Sequence, residues 1–457
     1  MDQKLSLGLK LKYGLADLGF ALITSAIQFF MLFYYTDVAG IDPALAGLAL
    51  MVGKLTWDAF NDPLFGYWSD RTRSAFGRRR IFMLIGAVPL GLAAWIMFSL
   101  PQGLTGAAAF LAVLVSFLLV DTFHTMTTTP YYALTPELTR DYNERASLTS
   151  IRMIFSVLGY ILGAALTTIL AGIFESAGLS IQQAWSATGA VFGLVAITTT
   201  LITTFSIKED PELAGEPSKL PAVKSIFTSF KNKPFVILMI AFILSSFSFT
   251  VLTALVAYFI TYQLNMGDQV SFVLLVMLVM IGLFLVPARM ISDRINKGPT
   301  YALGLFIASL AVMTGFFLPH EPTALIYVIA AVAGIGFSTQ WVCPWSMLPD
   351  VIEYDEKMTG ERREGIYYGL WAFLTKFTSA LGVAVSGWAL GLFGYVPNVE
   401  QTAQSLFGIR LFFSIVPAVV ILISLPLLIW YPITRRSHAA LVKELADKKA
   451  AAVPEVL

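Results

Sequence analysis

Lys54, Asp58 and Asp62 are spaced i, i+4, i+8 in an otherwise apolar stretch, with Asn61 beside them. On a helix that spacing puts all three charges on one face. Two carboxylates one turn apart, with amide and hydroxyl oxygens nearby, suit a hard monovalent cation that wants several oxygen ligands. The same pair suits a shared proton, because two carboxylates held close repel when both are ionised. A third use is structural, an ion-pair network that only holds helices together. Asp121 and His124 precede a hydroxyl run, Thr125, Thr127, Thr128 and Thr129, while Asp17, Arg152 and Lys376 are isolated charges in apolar sequence. His124 reads as a packing or hydroxyl-bonding residue, and the threonines also suit helix–helix contact. Gly159, Gly163, Gly382, Gly387 and Gly391 read as points of close helix approach. The three His residues and the single Cys343 give no nucleophile–base or metal-ligand spacing in a water-accessible loop, so neither an enzyme nor a cofactor is expected.

The elements that must carry these charges follow from composition. Of 457 residues, 57% are apolar and 13% charged, against about 45–50% and 25% in ordinary globular chains. So few charges cannot cover a soluble protein of this size, and a net charge of +1 gives no bulk signal for nucleic acid. Long apolar runs predict twelve spans at approximately 13–36, 45–66, 81–99, 106–136, 149–173, 184–207, 234–261, 269–290, 300–318, 323–349, 366–393 and 404–433. Blocks of this length require helices, since a barrel would alternate in short strands. Charges inside such spans cost about 2.5–3.5 kcal/mol each at mid-bilayer, so each needs a reason. One set of connections is rich in Lys and Arg and the alternate set has none, which places both termini in the cytoplasm and the protein in the plasma (inner) membrane. No cleavable signal pattern precedes the first span.

The connection 207–233 divides the spans six and six, giving an N-terminal half 1–206, a C-terminal half 234–433 and a tail 434–457. Ser69-Asp70-Arg71 follows span two and Ser292-Asp293-Arg294 follows span eight; Pro130 to Glu137 and Pro344 to Asp350 close spans four and ten. The reading is an all-α polytopic membrane protein, twelve helices in two pseudo-symmetric six-helix halves, with a substrate site between them. The loop from Gly66 to Arg80 resembles the major facilitator signature between helices two and three.

Trp57-Asp58-Ala59-Phe60-Asn61-Asp62-Pro63-Leu64-Phe65-Gly66 resembles the glycoside–pentoside–hexuronide:cation symporters, the melibiose-permease-like branch of that superfamily. Further matches span nearly the whole chain: Tyr35-Thr36-Asp37-Val38, Arg152 with Phe155 to Gly159, Trp341-Val342, Asp350 to Tyr354, Lys376, and Gly394 to Val399. The resemblance implies a coupling-cation site, for Na+ or H+, of Asp58, Asn61, Asp62 and Thr125, with Na+ held at Asp58 and Asp62. It implies Lys376 as their counter-charge, joined by Lys54, and sugar contacts from Arg152, Trp341 and Tyr132. Inner ionic locks would pair Asp350, Glu353 and Glu356 with Arg140, Arg145 and Arg363, and Asp70-Arg71 and Asp293-Arg294 join them as gating candidates.

The departures bear on substrate. The family's two sugar-clasping acids fall here on Gly19-Phe20-Ala21 and on Thr128, leaving Asp17, Asp121 and Thr128 as the nearest polar groups. Pro344 to Asp350 is also similar to the sodium-dependent lysophospholipid symporters, and Tyr131, Tyr132, Trp341, Trp345 and Trp371 could stack on a sugar or line an acyl path. The expected function is cation-coupled symport of a glycoside or sugar, by a protein acting as a monomer in the lipid bilayer. The alternatives are a cation-coupled lysophospholipid carrier and a non-transporting membrane sensor or scaffold.

Overall fold

The computed structural model describes residues 5–139, 142–209, 229–360 and 363–452. Arg140 and most of the 207–233 connection lie outside them, as does the side chain of Arg145. The helices are α1 (Leu7–Val38), α2 (Pro43–Gly53, Lys54–Asp58 and Ala59–Arg71 without a break), α3 (Arg80–Met97), α4 (Gly106–Leu138), α5 (Tyr142–Ser176) and α6 (Ile181–Ser206). After the connection come α7 (Lys233–Gln263), α8 (Gly267–Ile295), α9 (Lys297–Phe317), α10 (Leu325–Thr359), α11 (Glu364–Leu392), α12 (Ala403–Ile429) and a tail helix α13 (Arg435–Ala452). No strand occurs among the described residues.

Eleven of these helices are long and apolar enough to cross a membrane. The twelfth is α2, whose apolarity is broken by Lys54, Asp58 and Asp62; at about 1.5 Å rise per residue it is still roughly 43 Å long. Polar caps fix where several helices begin. Asp42 accepts the Leu45 N–H at 2.9 Å ahead of Pro43, and Ser180 with Gln183 forms a capping box on α6. α10 runs ten residues past the apolar limit at 349 because ion pairs carry it onward: Asp350 with Lys297 at 2.6 Å and Asp355 with Arg363 at 2.6 Å. Hydropathy marks where the bilayer ends, not where the helix ends.

The predicted glycine approaches are present. A Cβ on Gly159 would lie 2.2 Å from the Leu18 carbonyl and one on Gly163 2.4 Å from that of Leu22, so α5 lies directly on α1. Gly387 meets Pro43 in the same way, bringing α11 of one half onto α2 of the other. Further bridges between halves sit toward the end opposite the termini, among them Gln28 to Thr253 at 2.9 Å, Thr36 to Tyr258 at 2.6 Å, and Thr168 to Ser271 at 2.5 Å. That far end is closed. Toward the termini, Tyr132, Trp341 and Trp345 are roughly half exposed, and a cavity opens between the halves.

Candidate functional site

The cavity, of about 710 Å³, is lined by α1, α2, α4 and α11, and its size is that of an ordinary small-molecule site. The sequence of α2 explains its floor. Lys54–Asp58 forms a π-turn, a local widening often found at functional sites. Pro63 follows one turn later and has no N–H to return to Ala59. In this loosened stretch the Asp58 carbonyl accepts a hydrogen bond from Lys376 Nζ on α11 at 2.6 Å. The same ammonium lies 2.5 Å from Asp58 Oδ1 and 2.6 Å from Asp62 Oδ2. Lys54 also faces α11, donating to Ser379 Oγ at 3.3 Å with the Phe117 ring 5.5 Å from its nitrogen. All three α2 charges therefore point across the interface at one helix of the other half.

Asn61 is fully buried and its Nδ2 donates to the Asp121 carboxylate on α4. That bond fixes the amide's orientation, because turning it over would set oxygen against oxygen. The buried Oδ1 then has no hydrogen-bond partner among the described residues, an acceptor suited to a cation. Thr125 and Thr128 are buried in the α4 wall, and the Thr128 hydroxyl donates to the His124 carbonyl at 2.9 Å. His124 Nε2 lies 3.3 Å from Thr24 Oγ1, the hydroxyl-bonding role expected of it. Thr24 and Gln28, which also line the cavity, were not singled out by sequence, though their i, i+4 spacing in an apolar run was a usable signal.

Asp17, Arg152 and Tyr132 form a second cluster nearer the termini. Asp17 lies 3.1 Å from Arg152 Nε and accepts from Tyr132 at 3.2 Å and Tyr131 at 3.3 Å. The Arg152 guanidinium stands 4.7 Å from the centre of the Tyr132 ring, and Tyr132 is the member that lines the cavity. Trp341 is edge-on to Tyr160 at 5.7 Å, and Trp345 is exposed. Trp371 departs from its assignment to substrate: it is buried inside the C-terminal half, 4.1 Å from Phe242, and does not line this cavity.

The gating candidates engage partners the sequence did not suggest. Asp350 binds Lys297 at 2.6 Å, Glu353 binds His438 of the tail helix at 2.7 Å, and Arg363 binds Asp355. Each pair lies within the C-terminal half or between it and its tail helix, and Glu356 is buried beside them. Asp70 reaches Arg79 at 3.1 Å, Arg71 lies over the Tyr67 ring at 3.7 Å, and the Asp293 carbonyl accepts from Arg435 at 3.0 Å, while Arg294 is exposed. Glu137 binds Arg79 at 2.7 Å and also Arg78. Glu209 receives the backbone N–H groups of Arg78, Arg79 and Arg80 at 2.8, 2.9 and 2.6 Å, pinning the start of the connection to the first half.

Residues 12–435 match the family described as MFS/sugar transport protein. The chain is 27% identical to the glucuronide carrier protein homolog of Escherichia coli (strain K12), covering 98% of this chain and 97% of that one. It is 26% identical to the sodium-dependent lysophosphatidylcholine symporter 1 of Mus musculus, covering 98% and 90%. Both relatives are named as transporters, not enzymes. Among solved structures, the fold is similar to that of a bacterial homolog of the human lysosomal transporter Spinster in an inward-facing, unoccupied conformation. There the TM-score is 0.69 at 14% identity, over 93% of this chain and 95% of that chain.

Proposed function

The chain belongs to the MFS/sugar transport protein family, and from that premise we propose that it is a cation-coupled symporter, driven by Na+ or H+, that takes up a glycoside-type molecule by alternating access. The observation that carries the proposal is Lys376, whose ammonium sits between Asp58 and Asp62 at 2.5 and 2.6 Å. A cation entering between these carboxylates takes over the charge balance that Lys376 supplies. The ammonium is then displaced toward the cavity. Because Lys376 belongs to one half and both carboxylates to the other, ion occupancy is linked to how the halves are held together. Asn61 Oδ1 and Thr125 offer the entering ion neutral oxygens, and Tyr132 on the cavity wall, with the Arg152 guanidinium 4.7 Å from its ring, offers a face to a sugar ring.

In this reading the termini are cytoplasmic, the open end of the cavity faces inward, and the protein works as a monomer in the plasma (inner) membrane. The membrane potential adds about 2.3 kcal/mol per charge per 100 mV to the ion's inward drive. The test is uptake of labelled glycosides into membrane vesicles under an imposed Na+ or H+ gradient. Asp58→Asn and Asp62→Asn are expected to abolish gradient-driven accumulation; accumulation at the parent level in either would overturn the assigned ion site.

A second substrate class, a lysophospholipid, is favoured by one observation. Neither position of the family's sugar-clasping acids carries a carboxylate, while the cavity wall keeps the half-exposed ring of Tyr132. The same vesicles offered lysophosphatidylcholine in place of glycosides separate the two.

A further inference from the structure

Two motifs have no part in the site above: Tyr35-Thr36-Asp37-Val38 at the end of α1, and Gly394 to Val399 between α11 and α12. The fold brings them together at the far end, from opposite halves. Asp37 is 4% exposed, and no Lys or Arg forms an ion pair with it among the described residues. Its carboxylate accepts instead from three hydroxyls: Thr36 at 2.5 Å, Tyr395 at 2.5 Å, and Tyr262. Asn398 completes the cluster. Its Nδ2 donates to the Asp37 carbonyl at 2.6 Å, and its backbone N–H donates to the Tyr262 hydroxyl at 3.0 Å. A buried charge without a counter-charge persists only where strong donors surround it, and every donor here except Thr36 comes from the C-terminal half.

The internal repeat gives this contact its meaning. The first helix of each half ends in a π-turn, Tyr34–Val38 in α1 and Phe259–Gln263 in α7. Superposed turn on turn, Thr36 matches Thr261 and Asp37 matches Tyr262. The equivalent residues of the two halves are thus bonded to each other, so the contact lies on the pseudo-two-fold axis that relates the halves. Halves that rock apart at the far end must break it.

We infer that Asp37, with Tyr262, Tyr395 and Asn398, is the latch that holds the far side of the transporter closed in this state. The inference rests on the alternating-access reading above and adds to it the element that opposes opening toward the other side. A carboxylate held by hydroxyls suits such a latch. On separation water replaces the phenols around the charge, whereas an apolar seam would be left exposed.

The test uses the full chain with Cys343→Ser and spin labels on Leu179→Cys and Glu321→Cys, two exposed positions on far-end loops of opposite halves. Double electron–electron resonance then reads the distance across that end. Asp37→Ala, Tyr262→Phe and Tyr395→Phe are each expected to raise the long-distance population at least threefold. Tyr395→Phe added to Asp37→Ala should raise it no further. Tyr327→Phe, which removes a far-end hydroxyl bonded to Gln269 inside one half at 2.7 Å, should leave the distribution at the parent value. Parent-like distances in all three latch variants overturn the inference, and the two phenylalanine variants carry the test alone if Asp37→Ala does not fold. Neither substrate nor ion gradient enters this measurement. Unmoved distances therefore remove the latch and leave the symport reading in place, whereas loss of ion dependence in the vesicles removes the symport reading itself.

Discussion

Lys376 occupies, with its own ammonium, the place between Asp58 and Asp62 where a coupling cation would sit. In the proposed symport, protein cation and transported cation compete for one pair of carboxylates, and each tenfold change in affinity corresponds to about 1.4 kcal/mol. Removing the competitor should therefore tighten ion binding. Lys376→Ala is expected to lower the NaCl concentration needed for half-maximal thermal stabilisation by about tenfold, while uptake is lost because the link to the other half is gone. Thermal unfolding of detergent-purified protein in NaCl against choline chloride checks the first part. A higher requirement in Lys376→Ala would show that the lysine helps to hold the ion. Asp58, Asp62 and Lys376 were legible in the sequence because a charge in a membrane span is costly enough to need a reason. Trp371 was not, since residue type alone does not say which way an aromatic ring turns, and the α11 backbone turns it onto Phe242. The partners of Asp350 and Glu353 were equally hidden. Lys297 and His438 are remote from them in sequence, and only the packing of α9 and α13 against α10 brings them near.

At the scale of elements, spans, glycine contacts and doubling were readable, and the π-turns were not. A twenty-residue apolar block has a strong signal, as does a glycine at i, i+4 in a span, and both appear where expected. A π-turn shifts one helix by a fraction of a turn and leaves no compositional mark, yet two of them carry Asp37 and Tyr262 and a third carries Lys54 and Asp58. Close approach of α5 to α1 has a testable consequence, because it holds Asp17 3.1 Å from Arg152. The Cβ of Gly159→Val would lie 2.2 Å from the Leu18 carbonyl, which backbone cannot accommodate without shifting. Overpacking of this kind costs about 1–3 kcal/mol. The variant should aggregate at lower temperature in fluorescence-detected size exclusion, whereas Gly172→Val on the same helix, with nothing within 4 Å of its Cβ, should match the parent. Equal behaviour of the two would argue that the α1–α5 seam is looser than these distances imply.

For the whole molecule, the two ends of the bundle are built differently. At the far end the halves are joined directly, by Thr168 to Ser271, by Gln28 to Thr253 and by the Asp37 cluster. Near the termini, Lys10 pairs with Glu144, Arg79 with Glu137, and Lys297 with Asp350, each within one half. In the proposed alternating-access cycle the opposite state requires separation of the far-end contacts, so a covalent bond there should arrest it. Thr168 on α5 and Ser271 on α8 have their hydroxyl oxygens 2.5 Å apart, close enough for a pair of cysteines at those positions to bridge. In a Cys343→Ser background, oxidised Thr168→Cys/Ser271→Cys is expected to retain less than a tenth of parent uptake. Dithiothreitol should restore it, and each single cysteine should be unaffected by oxidant. Full uptake by the cross-linked protein would mean that the halves do not part along this seam, and the cycle would then need a motion other than rocking about the central site.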